Sequence, residues 1–407
     1  MKNKTIVILG GGYAGLLAAA RISRQTEHNI ILIDSKAQFV QRIRLHEALT
    51  GSQPKVLPYK PLLNKRGIEF IQAEVSELNP NQGCLSYASG EDQDQQLNFD
   101  YLIYALGSAI KPVLQGASTH ALSLNSPQDS AQGGLRLAEI NAREGTVVVL
   151  GGGISGIEVA TEISDYYPQL NVKLITRGEF ASPFSKLAQA HLRESFSRHN
   201  ITIVEHTEVT ELRERHLITS HGHSISFHLC IPCSGFKVPD LARKAGLGVD
   251  PSGRIQVDPY LRSLSHANVF AAGDCANVQG ISKQPLRMSC AAAMPLGITA
   301  GENLLATLQG KPMQPFSMAF MAQCLSLGRQ QGLIQFTNGD DSPKENIWTD
   351  RKAVMTKEFI CRMTYAAVHW ELKTGLRLYR WPKLKRSGPH ALTSSVPNKV
   401  SSEVISD

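Results

Sequence analysis

The sequence predicts an α/β fold: two doubly wound parallel sheets, the second inserted into the chain of the first, followed by a small C-terminal domain. Three observations predict it. An apolar run feeding a glycine-rich turn occurs twice, as IVILGGGYAG at 6–15 and VVVLGGGISG at 147–156. Each copy continues into a helix-forming stretch and a second apolar run. Two further strand-like segments, FDYLIYALGS (99–108) and HANVFAAGDCAN (266–277), bracket the second copy, so the first sheet is expected to be interrupted and completed later. The 407 residues suffice for two or three domains. The expected division is 1–112 and 251–312 for the first unit, 113–250 for the inserted unit and 313–386 for a C-terminal region. Residues 387–407, rich in Ser, Pro and Asn, are expected to be disordered.

TIVIL (5–9) is a β-branched run suited to a buried parallel strand. Gly10, Gly12 and Gly15 then fit G-x-G-x-x-G, LLAAARIS supplies a helix, and NIILID ends at Asp34, 19 residues past Gly15. Such a unit holds a dinucleotide. The first glycine makes the turn, the second admits the pyrophosphate, and the third lets helix and strand pack closely. The helix N-terminus faces the phosphates, and the acid accepts from ribose hydroxyls.

The second copy repeats the pattern. TVVVL (146–150) is the strand, Gly151, Gly153 and Gly156 make the turn, IEVATEISDYY is the helix and NVKLIT (171–176) the next strand. Thr176-Arg177 stands where Asp34-Ser35 stood in the first copy. An acid there repels a 2′-phosphate and an arginine pairs with one, so the substitution favours NADPH or removes a bar against it. A solvated loop charge is the alternative role for Arg177.

GGGYAG, ALGS, GGGISG and AAGDCA, in this order and near these spacings, resemble the flavoproteins with two Rossmann-like dinucleotide-binding domains. That group includes the pyridine-nucleotide-disulfide oxidoreductases, the type II NAD(P)H:quinone dehydrogenases and the apoptosis-inducing-factor-like flavoproteins. The resemblance covers roughly residues 4–310 and implies FAD on the first unit and NAD(P)H on the inserted one. The residues it assigns to FAD are Gly10, Gly12, Tyr13, Ala14, Gly15, Asp34, Ser35, Val75, Ala105, Leu106, Gly107, Gly273 and Asp274. It assigns Gly151, Gly153, Ile154, Ser155, Gly156 and Gly235 to the nicotinamide nucleotide, to which the charge argument above adds Arg177. Glu158 is the candidate catalytic residue, since it matches a glutamate that the resemblance places near nicotinamide and flavin. By position alone, it sits in the first turns of a helix, where its charge suits the dipole.

Hydride transfer between such cofactors needs two rings held in contact, and neither nucleophile nor metal. No metal-ligand spacing or hydrolase motif is present. The destination of the electrons is what varies in this group. A C-x4-C pair after the first module is missing, since residues 36–60 hold no cysteine. Cys230 and Cys233 form a C-x-x-C, but they lie late in the inserted unit. On an extended strand, positions three apart point to opposite faces, beyond disulfide reach. The seven scattered cysteines suggest no disulfide framework. The expectation is therefore a type II quinone-dehydrogenase-like enzyme. The alternatives are a ferredoxin- or rubredoxin-type reductase and a slow redox-signalling flavoprotein.

The net charge of +7 is local: residues 351–386 hold ten Lys/Arg against Glu358 and Glu371. A helix over 351–374, ended by Gly375, would align Met355, Phe359, Met363, Ala366 and Trp370 on one stripe, flanked by Lys352, Lys357, Arg362 and Lys373. All three tryptophans (Trp348, Trp370, Trp381) fall nearby. Such a helix lies on an anionic bilayer or packs on its own domain; both readings stay open. No motif accompanies the basic cluster to suggest nucleic acid. FSMAFMAQCLSLGRQQGLIQF (316–336) predicts two strands that serve as a homodimer face or an acceptor wall. With no apolar run near the roughly 20 residues that span a bilayer and no room before the first strand at 5–9 for a cleaved signal, the expected location is cytoplasmic, peripheral on a membrane if the helix docks there.

Overall fold

The computed structural model describes residues 3–89, 92–111, 114–280 and 284–384. Strand β1 (Thr5–Leu9) is central in a five-stranded sheet because its side chains are apolar on both faces; Ile6 to Leu9 are fully buried. It is joined by β2 (Asn29–Asp34), β3 (Ile68–Gln72), β4 (Tyr101–Tyr104) and β9 (Val269–Ala271) in the order β9-β4-β1-β2-β3, all parallel. Between β4 and β9 in the chain lies a second parallel sheet. It contains β5 (Thr146–Leu150), β6 (Asn171–Ile175), β7 (Thr202–Val204) and β8 (Leu229–Pro232), in the order β7-β6-β5-β8. The expected interruption of one sheet by the other is thus seen in the strand order. A short antiparallel pairing of Ala109–Ile110 with Phe236–Lys237 ties the two crossings together.

Helix α1 (Tyr13–Ile22) follows the first glycine turn and α2 (Ile154–Tyr166) the second. Helix α3 (Cys290–Leu308) returns to pack on α1, with its Gly297 facing the Ala14 carbonyl oxygen; a Cβ there would stand 2.1 Å from that atom. The C-terminal region holds three antiparallel strands where two were expected: β10 (Ala322–Leu327), β11 (Gln331–Thr337) and β12 (Pro343–Thr349). The third is mostly polar and exposed, PKENIWT, so it offers no apolar alternation to read.

Helix α4 (Asp350–Thr374) has nearly the expected limits and ends on Gly375 in the left-handed region, φ 72°. Its inner face differs from expectation. Ala353, Lys357, Cys361, Thr364, Ala367, Val368, Glu371 and Leu372 are buried, so Lys357 is not a solvent-facing flank of the stripe. The stripe itself faces solvent: Met355 is 66%, Phe359 62%, Met363 50% and Trp370 45% exposed. Trp348 is half-exposed, but Trp381 packs on the core of the first sheet and donates its Nε1–H to the Ser317 carbonyl. Among the described residues no helix is long and apolar enough to cross a membrane. Lys385, Arg386 and the 387–407 tail lie outside the described residues.

Candidate active site

The two glycine turns have the same geometry. Gly10 and Gly151 take φ of +99° and +121°, and each donates its N–H to the last apolar residue of the neighbouring strand, Ile33 and Ile175. A Cβ on Gly15 would stand 1.9 Å from the Gly10 oxygen, and one on Gly156 1.8 Å from the Gly151 oxygen. Helix and strand therefore touch through backbone at both places. A Cβ on Gly12 or Gly153, by contrast, would meet nothing within 4 Å. The middle glycines face open space, where a pyrophosphate would approach.

The helices behind these turns start bare. Neither α1 nor α2 has a side-chain cap or an acid in its first turn. Three other long helices are capped by serine: Ser126, Ser185 and Ser289 accept from the N–H groups of Asp129, Ala188 and Ala292. The free N–H groups of Tyr13, Ala14 and Gly15, and of Ile154, Ser155 and Gly156, are thus left for an anion. Both clefts fit a dinucleotide.

Around the first cleft, the Asp34 carboxylate accepts from the Gly11 N–H at 2.6 Å and the Lys36 N–H at 2.8 Å, with Ser35 exposed between. Tyr59, unremarked in the sequence, clamps the turn by donating its hydroxyl to the Gly11 carbonyl at 2.7 Å. Ala105 to Gly107 follow β4, and the Ala105 N–H bonds the Leu9 carbonyl at 2.8 Å. Gly273 and Asp274 form a tight turn after β9. Asp274 accepts from the Ser108 hydroxyl at 2.6 Å, and Arg42 donates to the Ser108 carbonyl at 2.5 Å. Burial lowers the Arg42 pKa against the opposing pull of Asp274. Arg42 and Ser108 are additions that only the fold brings to this cleft. Val75 is half-buried on an antiparallel strand opposite Tyr87.

Around the second cleft, Gly235 follows β8 with φ +82°. Arg177 is 82% exposed, and its guanidinium stands 3.9 Å from Glu208. The position therefore has an acid beside it that the linear spacing did not show.

Between the clefts lies a buried charge cluster. Glu158, on α2, accepts from the Lys357 ammonium and from the Ser326 N–H at 3.1 Å, while Lys357 also donates to the Ser326 hydroxyl at 2.7 Å. Glu158 and Lys357 are both 8% exposed. Burial pushes the Glu158 carboxyl up, but Lys357, His46 and the Ser326 N–H outweigh it and hold it low. Burial likewise draws Lys357 down, and Glu158 overcomes it. The pair is ionised, a partnership that neither the dipole reading nor the cofactor reading of Glu158 included. His46 lies within its electrostatic reach; burial lowers its pKa, and its Nε2 has no hydrogen-bond partner.

Tyr13, Cys290, Cys324 and Cys361 border this cluster within electrostatic reach of one another or of Lys357. Burial pushes the Cys290 thiol up to about 12 and that of Cys324 to about 11, which holds both thiols neutral near pH 7. Cys230 packs in the core on one side of the second sheet and Cys233 in the core on the other, both as free thiols. They do not form a dithiol facing a common ligand. Among the described residues no group of three His, Cys, Asp or Glu could hold a metal ion.

Residues 4–296 match the family described as pyridine nucleotide-disulphide oxidoreductase. The chain is 24% identical over 390 residues to a probable NADH dehydrogenase of Dictyostelium discoideum, covering 88% of this chain and 86% of that protein. It is 26% identical over 346 residues to demethylphylloquinone reductase NdbB of a Synechocystis species, covering 81% and 86%. In fold, it superimposes on NDH2 from Plasmodium falciparum in complex with NADH with a TM-score of 0.78 at 16% identity, covering 92% of this chain and 96% of that one.

Proposed function

The chain belongs to the pyridine nucleotide-disulphide oxidoreductase family, and from that premise we propose that this oxidoreductase takes electrons from NADPH or NADH and gives them to a quinone. The family implies a flavin and a nicotinamide nucleotide. Our finer reading puts FAD in the first cleft, NADPH or NADH in the second, and the inserted domain at 113–250. The observation that carries it is the pair of bare helix N-termini behind open middle glycines, on two sheets joined around one buried ion pair. A flavin held in the first cleft would supply two-electron chemistry between the nicotinamide and the acceptor. Overall, NAD(P)H, a quinone and one proton give NAD(P)+ and a quinol.

The chain's own residues bind and orient. The free N–H groups of α1 and α2 take the two pyrophosphates, and Asp34 accepts from a ribose hydroxyl. In this reading Asp274, which accepts from the Ser108 hydroxyl, would also hold the flavin side chain. Glu158 and Lys357 fix Ser326 and fill the space between the clefts with a charge-neutral pair. A quinone is favoured because the Cys230 and Cys233 thiols pack on opposite sides of the second sheet and because the exposed stripe of α4 suits a bilayer surface, where a lipid-soluble acceptor resides.

The test is an acceptor screen following nicotinamide oxidation by absorbance. Turnover with short-chain quinones is expected. No quinone rate together with rapid reduction of an iron–sulfur protein would sink the proposal. Arg177→Ala is expected to raise KM for NADPH several-fold and leave that for NADH nearly unchanged. Equal effects on both would remove the phosphate role.

A further inference from the structure

Where α4 ends, a second charged cleft opens that the proposed reaction does not use. Ser23 and Arg24, just past α1, face Lys65, Arg66 and the Thr374–Leu376 end of α4 across a solvent-open space of about 440 Å³. The Arg66 guanidinium lies against Gly375: a Cβ there would fall 2.6 Å from its Nη2 and 2.9 Å from its Cζ. The Arg66 Nε is buried with no hydrogen-bond partner. Nearby acids are already engaged: Glu302 pairs with Arg21 and Arg377, and Glu371 with Arg21. Among the described residues, Arg24, Lys65 and Arg66 make no ion pair within 4.0 Å. Three helix C-termini end here, those of α1, of the short helix Tyr59–Asn64 and of α4, each offering at most about half a negative charge, too little to balance three cations.

The cleft also lies at a particular place. The exposed stripe Met355, Phe359, Met363 and Trp370 continues by one more step of four to Thr374, which lines the cleft. Lys373 lies over the Trp370 ring at 4.7 Å. Just beyond, Leu376 and Leu378 are 52% and 50% exposed. An apolar face thus runs directly into an unpaired cationic cleft.

We propose that the Arg24–Lys65–Arg66 cleft binds the phosphate of an anionic phospholipid headgroup while the α4 stripe lies among the acyl chains of the same bilayer. The proposal rests on the bilayer reading of α4 and adds a specific headgroup site to it. Guanidinium forks suit phosphate oxygens, and the site would set the depth and orientation of the enzyme on the membrane.

The experiment is co-sedimentation of the flavin-loaded full chain with phosphatidylcholine vesicles, with and without phosphatidylglycerol. One triple variant is Arg24→Gln/Lys65→Gln/Arg66→Gln. A charge-matched control is Arg351→Gln/Lys352→Gln/Arg362→Gln, on the exposed flanks of α4. Both should keep bound flavin and the wild-type rate with a soluble short-chain quinone. The cleft variant is expected to lose about tenfold more affinity for phosphatidylglycerol vesicles than the control, with binding to neutral vesicles unchanged. Equal losses in the two variants would leave only diffuse attraction and overturn the site. Arg24→Gln/Lys65→Gln, which spares the Arg66 packing, should show part of the same loss. Calorimetry with inorganic phosphate is the second arm. Tight phosphate binding that the cleft variant abolishes, with no vesicle binding by the wild type, would assign the cleft to a soluble phosphate ligand and overturn the headgroup assignment. Phe359→Glu tests the bilayer reading alone: undiminished vesicle binding there, with loss in the cleft variant, would fail the stripe and keep the headgroup site.

Discussion

Lys357 carries a charge into the interior of the molecule, and its worth depends wholly on Glu158. The folded pKa of Glu158 lies below its ordinary 4.5. Its contribution to stability is therefore complete above about pH 4.5 and is lost as pH falls through the folded value. The folded pKa of Lys357 lies above its ordinary 10.5, so its contribution is complete below that pH and is lost as pH rises through the folded value. The pair stabilises across the whole neutral range. Lys357→Met should cost about 3–5 kcal/mol near pH 7, because it leaves a buried carboxylate unpaired. Glu158→Gln/Lys357→Met should recover much of that loss, since neither buried charge remains. Denaturant midpoints of the flavin-loaded variants measure both, and a double variant as unstable as the single one would refute the coupling. Nothing in the linear sequence marked Lys357. Its neighbours Lys352 and Arg362 are exposed, and only the register of α4 against α2, set by residues 199 positions apart, turns this one lysine inward.

At the scale of elements, the glycine turns were legible because every part of their chemistry is local: strand, turn, helix and second strand lie within about 30 residues. The extent of α4 was legible for the same reason, since Gly375 ends it. Its inward face was not. Most of the buried residues there are small or polar, such as Ala353, Cys361 and Thr364, with Val368 and Leu372 the apolar members, while the more regular apolar stripe looks outward, so hydrophobic periodicity marked the exposed face and not the packed one. The approach of α3 to α1 was also hidden. Gly297 and Gly301 look like helix-weakening glycines until Ala14 and Ala18, more than 280 residues earlier, are set against them. Gly297→Ala should therefore destabilise by about 3 kcal/mol, as overpacking against rigid backbone does. The displaced atoms belong to Ala14, in the first bare helix turn, so the purified variant should also carry less flavin per chain. Gly301→Ala, whose Cβ would stop 2.9 Å from the Ala18 oxygen, should be milder on both counts. Melting curves and the visible-to-ultraviolet absorbance ratio read these effects, and normal flavin content with a normal melt in Gly297→Ala would contradict the packing argument.

At the scale of the molecule, the three parts of the chain meet at Arg329, in the turn between β10 and β11. Its Nε donates to Glu162 of α2 at 2.6 Å, one Nη donates to the Thr50 hydroxyl at 2.6 Å, and its backbone N–H donates to Asp165 at 2.9 Å. Thr50 belongs to the first unit, Glu162 to the inserted one and Arg329 to the C-terminal one, so one side chain pins all three. Glu162 is 1% exposed, and its second oxygen already lacks a partner. Removing Arg329 leaves that carboxylate with the Thr50 hydroxyl as its remaining partner, at a cost of about 3 kcal/mol. The consequence should reach past stability. Hydride transfer falls steeply when two rings drift by an ångström, so a loosened joint between the sheets should slow the step that joins the cofactors. Arg329→Ala is accordingly expected to lower kcat for nicotinamide oxidation about tenfold while leaving flavin content intact. KM for the nicotinamide should change little, because each cleft is built within its own sheet. Stopped-flow reduction of the bound flavin by NADPH, under anaerobic conditions and without acceptor, isolates this step from the later one. A wild-type reduction rate in Arg329→Ala would mean that the sheets hold their relative pose without this joint, and the role assigned to Arg329 would be confined to stability.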